Sequence, residues 1–167
     1  MANKKPKPET LELMYKEVKD RLDSQFNSIS DLDKKAITAI GFVGIVVGFI
    51  LKWSETLLST KNIRICLYVL SIISILSFLI SIYFALIAFK VKGYRRDPNP
   101  MKLIQHYSYK EKYEVLEQIV DNIADSHKEN DISIIKKGKN INRAILFFFL
   151  GLILYSLFII FYTIRFR

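Results

Sequence analysis

Two runs of sequence decide the fold: ICLYVLSIISILSFLISIYFALIAF at residues 65–89 and AILFFFLGLILYSLFIIFYTI at residues 144–164. Neither run contains a charged residue. Because an α-helix rises ~1.5 Å per residue, each run is long enough to cross a hydrocarbon core of ~30 Å. The sequence therefore predicts two transmembrane helices from these runs alone.

A third charge-free run, residues 36–51, is shorter and gives a helix of only ~24 Å. Lys34, Lys35 and Lys52 flank it, and their long side chains can reach the membrane surface, where Trp53 also fits. We therefore expect three crossings in an all-α integral membrane protein. A protein with two spans is the alternative if the short run does not cross.

The distribution of basic residues predicts the orientation of the chain. Lys and Arg number 8 in residues 1–35, 3 in residues 52–64, 12 in residues 90–143 and 2 after residue 164. Cytoplasmic segments carry the excess of basic residues, so the N-terminus is predicted to lie in the cytoplasm and the C-terminus outside the cell membrane. The predicted segments are a cytoplasmic tail and helical stalk (1–35), a first span (36–53), a short external loop (54–64), a second span (65–89), a cytoplasmic loop and long helical stalk (90–143), a third span (144–164) and an external tail (165–167).

Composition excludes a soluble enzyme. The 167 residues are 51% hydrophobic and carry a formal charge of +9, which requires apolar and charged residues to be separated along the chain. The segments outside the membrane are too short for a conventional catalytic core, and the chain has no P-loop, GxGxxG, HExxH, GxSxG or CxxC motif. We expect no catalysis and no cofactor. Cys66 is the single cysteine and His106 has no ligand partner at metal-site spacing, so no disulfide or metal site is expected either.

Both stalks carry apolar residues in the alternating four-and-three spacing of a coiled-coil seam, and this pattern continues into the spans. No Pro or Gly interrupts residues 9–40, so one helix is predicted from Glu9 to Trp53. Gln25, His127 and Asn130 are polar members of the seam. They either set the register of the helices or line a ligand pocket between the stalks. The seam residues are Leu11, Tyr15, Val18, Leu22, Gln25, Ile29, Leu32 and Ala36 before the first span, and Tyr113, Leu116, Val120, Ile123, His127, Asn130, Ile134, Lys137 and Ile141 before the third.

Small residues form two predicted packing faces in the spans. Gly41, Gly44 and Gly48 share one face of the first helix, and Gly44 and Gly48 form a GxxxG motif that permits close backbone approach. This face lies about 140° around the helix from the seam, so the helix can pack in two directions. In the second span a stripe of serines predicts helix packing, with a pore lining as the alternative; its members are Ser71, Ser74, Ser77 and Ser81.

Ten cations gather near the predicted cytoplasmic ends of the spans. The runs 36–51, 65–89 and 144–164 contain no charge, which disfavours secondary transport. Attraction to anionic lipid and control of topology are one explanation. Contact with a phosphate of a small cytoplasmic ligand is the other, and nucleic acid is not expected because acidic residues interleave along the stalks. The candidate nucleotide or anionic-lipid contacts are Lys34, Lys35, Arg95, Arg96, Lys136, Lys137, Lys139 and Arg143.

The chain resembles the small transmembrane effectors of bacterial and archaeal nucleotide-signalled antiphage systems, in particular the Pycsar transmembrane effector and the related SLATT-type effectors. The resemblance rests on Asp33-Lys34-Lys35-Ala36 at the start of the first span, the hairpin to the second span, and the stretch from Leu116-Glu117-Gln118-Ile119 to Ile145 that leads into the third. It implies a protein that is inactive in the inner membrane until infection produces a cyclic nucleotide, which for Pycsar is a cyclic pyrimidine mononucleotide. The effector then assembles and impairs membrane integrity.

The predicted function is therefore that of an antiphage effector that oligomerises in response to a cyclic nucleotide and damages the inner membrane. Its expected partners are the lipid bilayer, further copies of the chain and the cyclic nucleotide. Two alternatives stay open. One is a non-enzymatic membrane scaffold or accessory protein whose stalks recruit a soluble partner, and the other is a small oligomeric channel.

Overall fold

The computed structural model describes residues 7–58, 65–90, 93–96, 101, 104–105 and 108–166, with the backbone alone at 53–58 and 165–166. His106 and part of the predicted external loop, residues 59–64, lie outside the described residues. Three long helices fill most of the described chain, and no strand occurs in it: α1 (Pro8–Leu58), α2 (Ile65–Phe89) and α3 (Lys112–Phe166). All three are long and apolar enough to cross a membrane. The all-α membrane fold with three spans is thus confirmed.

Helix α1 is longer at its C-terminal end than the sequence predicts. It begins at Pro8, which is tolerated in the first turn because a backbone N–H at that position would have no helical partner. The negative charge of Glu9 interacts favourably with the positive end of the helix dipole. The carbonyl of Lys7 accepts hydrogen bonds from the N–H groups of Thr10 and Leu11 at 3.0 and 3.1 Å. The helix then continues to Leu58, past Trp53 and into the predicted loop 54–64. Since residues 54–58 contain no Pro or Gly, nothing in that sequence breaks the helix.

Helix α2 coincides with the second charge-free run, from Ile65 to Phe89. Its last turn is closed by the N–H of Lys90, which donates to the carbonyl of Leu86 at 2.9 Å. Helix α3 runs for 55 residues without a break and contains both the predicted stalk and the predicted third span.

The chain divides into two compact units. We call Met1–Asp31 with Val91–Ile135 the stalk unit, and Leu32–Lys90 with Lys136–Arg167 the span unit. Helices α1 and α3 each contribute residues to both units.

The core of the stalk unit is the predicted seam. On α1, Leu11, Leu22 and Ile29 are buried, and on α3 Val120 and Ile123 are buried. The other seam residues of this unit are buried or half-buried as well. The four-and-three spacing therefore identifies the buried face of both helices.

The core of the span unit continues the same spacing beyond the predicted seam. Val43, Ile50 and the fully enclosed Phe78 form one cluster with half-buried neighbours that include Phe148 and Tyr155. A second cluster joins Ala36, Ala88 and Ile141, one residue from each helix. Small residues at this point allow the three helices to approach closely.

Candidate functional site

Gln25 is a buried polar residue of the stalk unit. Its side chain is 6% exposed, and its Nε2 donates to Asp131 Oδ1 at 2.7 Å and to the carbonyl oxygen of His127 at 2.9 Å. Its Oε1 is buried and accepts no hydrogen bond within the described chain. Burying an acceptor without a donor costs about 1–3 kcal/mol, so the free energy of folding alone does not favour glutamine at this position.

A shallow groove opens beside Gln25. It is lined by Arg21, Ser24, Ser28 and His127, and it extends towards Val18 and Ala124. Arg21 Nε donates to Glu17 Oε1 at 2.8 Å, and both side chains are largely exposed, so solvent weakens this pair. His127 Nδ1 lies 3.9 Å from Asp131 Oδ2.

The groove combines a guanidinium, two hydroxyl groups, an imidazole and a carboxamide. This donor-rich set suits a small ligand that carries one negative charge. Gln25 and His127 were expected from their seam positions. Arg21, Ser24 and Ser28 were not, because they lie beside the seam rather than on it, and only the packing of α1 against α3 brings them to the groove.

Asn130 holds the segment that follows α2. It is 3% exposed, its Oδ1 accepts a hydrogen bond from the backbone N–H of Arg95, and its Nδ2 donates to the carbonyl of the same residue, both at 3.0 Å. The Arg95 guanidinium pairs with Glu129 at 3.0 Å, and the Arg96 guanidinium lies 4.3 Å from the ring centre of Phe26. Both arginine side chains thus contact residues of the stalk unit, and their predicted contact with a nucleotide or an anionic lipid stays a prediction.

Lys137 differs from the other predicted cations because it is buried. Its side chain is 7% exposed, and its Nζ donates to Asp33 Oδ1 across α1 and α3. By contrast the remaining predicted cations of the span unit are exposed, namely Lys34, Lys35, Lys136, Lys139 and Arg143. The Arg143 guanidinium lies 5.6 Å from the ring centre of Phe84.

The serine stripe of α2 faces the interior of the span unit. Ser74 donates to the carbonyl of Gly151 at 2.9 Å and Ser81 to that of Ala144 at 2.7 Å, so both hydroxyls bind α3. Ser77 is buried and donates to Ile73 of its own helix, while Ser71 is half-buried. In the single chain the hydroxyls of Ser74 and Ser81 thus join α2 to α3, as predicted for helix packing, and the pore lining stays a prediction.

The glycines fall into two classes. Gly41, Gly44 and Gly48 are exposed, and a Cβ at any of them would have no neighbour within 4 Å. At Gly151 a Cβ would lie only 2.8 Å from Cε1 of Phe78, which is closer than packed atoms allow. Gly151 was missed because it belongs to no GxxxG motif, yet it lies fourteen residues beyond Lys137, two heptads along the same seam.

Comparison with known families places these features in one domain. Residues 17–164 match the family model described as the Pycsar effector protein domain, PycTM. The match includes the groove, the serine stripe, the exposed glycines and every predicted cation. No curated protein and no solved structure matches the chain. The relation to SLATT-type effectors stays a prediction.

Proposed function

This chain belongs to the Pycsar effector family and is a membrane effector of antiphage defence; on that premise we propose that a cyclic nucleotide makes it oligomerise and impair the inner membrane. The chain acts in this proposal without catalysis. Its N-terminus lies in the cytoplasm, as the excess of basic residues in segments 1–35 and 90–143 predicts. A nucleotide made inside the infected cell then has direct access to the stalk unit.

One observation carries the proposal: α1 and α3 each run without a break from the polar groove of the stalk unit into a membrane-spanning segment. A ligand that binds one arrangement of α1 and α3 more tightly than another shifts the population between them. Since each helix is continuous, a rotation or shift of its stalk part also moves its spanning part.

The groove beside Gln25 is the proposed nucleotide site. Arg21 is placed to pair with the single negative charge of a cyclic phosphodiester, and the Ser24 hydroxyl can donate to the sugar. Ser28 donates its own proton to the carbonyl of Ser24 at 3.0 Å, so its oxygen can only accept from the ligand. A pyrimidine base has N–H groups that can donate to the Oε1 of Gln25 if binding exposes that atom. A hydrogen bond from the ligand to Oε1 would then remove the free-energy cost of the unsatisfied acceptor. The ligand would therefore bind this arrangement of α1 and α3 more tightly than the arrangement in which Oε1 stays buried.

The exposed glycine face of α1 is the proposed contact between copies. A second helix can approach this face closely because, in the part of the chain that the structure describes, no side chain covers it. Exposed Ile37 and Ile45 belong to the same stretch of helix and add apolar surface.

The test uses the full chain in sealed vesicles with an entrapped fluorophore. Addition of a cyclic pyrimidine mononucleotide on the stalk side is expected to release the dye, whereas the linear nucleoside monophosphate with the same base is the matched control. A chain that releases no dye with any cyclic nucleotide, although the ligand binds, acts as a scaffold. A chain that conducts without ligand is an ordinary channel.

Two variants separate the site from the fold. Gln25→Leu removes the unsatisfied acceptor and adds apolar surface to the seam, but it also removes the hydrogen bonds to Asp131 and to the His127 carbonyl. These changes oppose one another, so we expect the free energy of unfolding to stay within about 1 kcal/mol of the parent value while ligand-induced release is lost. Gly44→Leu is expected to leave the protomer folded, because nothing lies within 4 Å of the added Cβ, and to prevent assembly. If Gln25→Leu responds normally, the groove is not the site; if Gly44→Leu still assembles, the glycine face is not the interface.

A further inference from the structure

The cations of the span unit have almost no carboxylates to balance them. Residues 65–96 contain no Asp or Glu, and neither do residues 132–167. Within the sequence of the span unit only Asp33 and Glu55 are acidic, and Asp33 already pairs with the buried Lys137. Glu55 lies 22 residues further along α1, about 33 Å away on a helix. The exposed Lys136, Lys139 and Arg143 therefore carry positive charge that no carboxylate of the described span unit balances.

Three of these cations share one face of α3. Lys136, Lys139 and Arg143 fall within about 60° of one another around the helix, and all three side chains are exposed. The Arg143 guanidinium lies over the ring of Phe84 at 5.6 Å, and that ring stacks on Phe147 with centroids 5.8 Å apart and planes 13° from parallel. The aromatic pair holds the guanidinium at the edge of the apolar part of the helix.

The apolar surface of this face begins directly below the cations. Phe147 and Leu150 follow on the same side of α3, and Leu150 is 41% exposed. A molecule that lies along the face would meet three positive charges and then an uninterrupted apolar surface. A phospholipid with an anionic headgroup has these two properties in the same order: a phosphate at the membrane surface and acyl chains below it.

We propose that this face is a binding site for an anionic phospholipid, and we call it the lipid face: Lys136, Lys139, Arg143, Phe84, Phe147 and Leu150. The phosphate is held by Arg143 and Lys139, with Lys136 adding charge further from the bilayer. One acyl chain lies on Phe147 and Leu150. Lys137 takes no part because Asp33 neutralises it inside the unit. The proposal does not depend on nucleotide binding, since the groove residues belong to the stalk unit.

The test compares two triple variants with the same change in charge. Lys136→Gln/Lys139→Gln/Arg143→Gln removes the charges of the lipid face, whereas Lys16→Gln/Lys19→Gln/Lys128→Gln removes three exposed charges from the stalk unit. The full chain, freed of lipid in a neutral detergent, is titrated with fluorescent phosphatidylglycerol and with fluorescent phosphatidylcholine. We expect the parent chain and the stalk variant to prefer phosphatidylglycerol at least ten-fold, and the lipid-face variant to lose that preference.

A smaller variant tests the aromatic support. Phe84→Leu keeps an apolar side chain but removes the ring under Arg143, so affinity for phosphatidylglycerol is expected to fall two- to five-fold with no change for phosphatidylcholine. The proposal is overturned if both triple variants lose affinity equally, or if the parent chain binds the two lipids alike. It is also overturned if the lipid-face variant keeps its lipid preference and loses the response to nucleotide, since the cations would then serve the nucleotide.

Discussion

In both the stalk unit and the span unit the buried seam positions repeat every seven residues, but different types of residue occupy them. On α3 one row of seam positions reads Ile123, Asn130, Lys137, Ala144, Gly151 and Phe158, and all six are buried. The first two belong to the stalk unit, and the last four belong to the span unit. Within the span unit this row holds two small residues, Ala144 and Gly151, between the longer side chains of Lys137 and Phe158.

The difference follows from the solvent around each unit. In water, burial of apolar seam residues stabilises the packed helices and can offset a buried Gln25 or Asn130. In lipid that driving force is absent, and helices associate through close packing of small residues and through hydrogen bonds between them. The serine hydroxyls of α2 bonded to the carbonyls of Ala144 and Gly151 are such contacts.

The largest expected change in the free energy of unfolding comes from breaking the ion pair at the start of the span unit. Asp33→Asn removes the carboxylate charge that pairs with the buried Lys137. Breaking a buried pair by changing one partner costs about 3–5 kcal/mol, and because Asp33 is a third exposed we expect about 2–3 kcal/mol. Thermal unfolding in detergent measures the loss. The exchanged pair Asp33→Lys/Lys137→Asp should recover part of it, and a variant as stable as the parent would show that the pair does not hold α1 to α3.

Substitution by alanine should change the free energy of unfolding in opposite directions at the two classes of glycine. Gly151→Ala places a methyl group against Phe78, which is fully enclosed, and should lower the free energy of unfolding by about 1–2 kcal/mol. Gly44→Ala adds a methyl group with no neighbour and should raise it by up to about 1 kcal/mol, because alanine favours helix. The comparison is made on matched thermal melts in one detergent. Equal shifts would contradict the assignment of Gly151 to the packed seam.

A moderate effect is expected where Asn130 holds the backbone of Arg95. Asn130→Ala removes both hydrogen bonds, with a cost of about 1 kcal/mol, and frees the bonds after Arg95 and Arg96 for trypsin. Limited proteolysis of the purified chain should show cleavage there several times faster than in the parent. Gln118→Ala, on the exposed side of the same helix, is the control and should leave the rate unchanged. Equal rates in all three chains would mean that Asn130 does not secure this segment.

The smallest effect is expected at the surface of the stalk unit. Lys112 pairs with Glu12 at 2.5 Å, but both side chains are more than half exposed. Lys112→Ala should change the free energy of unfolding by less than about 0.5 kcal/mol, since solvent and side-chain entropy offset exposed pairs. A loss as large as that of Asp33→Asn would remove the distinction between buried and exposed ion pairs.

Periodicity predicted the fold and the buried face because it depends only on which residues avoid water. The same spacing, extended past Ile141, would also have identified Gly151 and Phe158. Two features could not be predicted from the sequence, because they depend on how the helices pack against one another. The partner of Lys137 could be any nearby carboxylate until α1 and α3 are aligned. The neighbours of the Arg95 and Arg96 side chains, Glu129 and Phe26, are likewise fixed only by the packed structure.

The central claim is that the signal brings copies of the chain together through the exposed glycine face of α1. The direct measurement is oxidative cross-linking in membranes of Gly44→Cys in a Cys66→Ser background, with and without the cyclic nucleotide. Phe42→Cys in the same background, about 160° around the helix, is the control. The account predicts a cross-linked dimer for Gly44→Cys only when the nucleotide is present. Cross-linking that is absent, independent of nucleotide, or equal at both positions would contradict it.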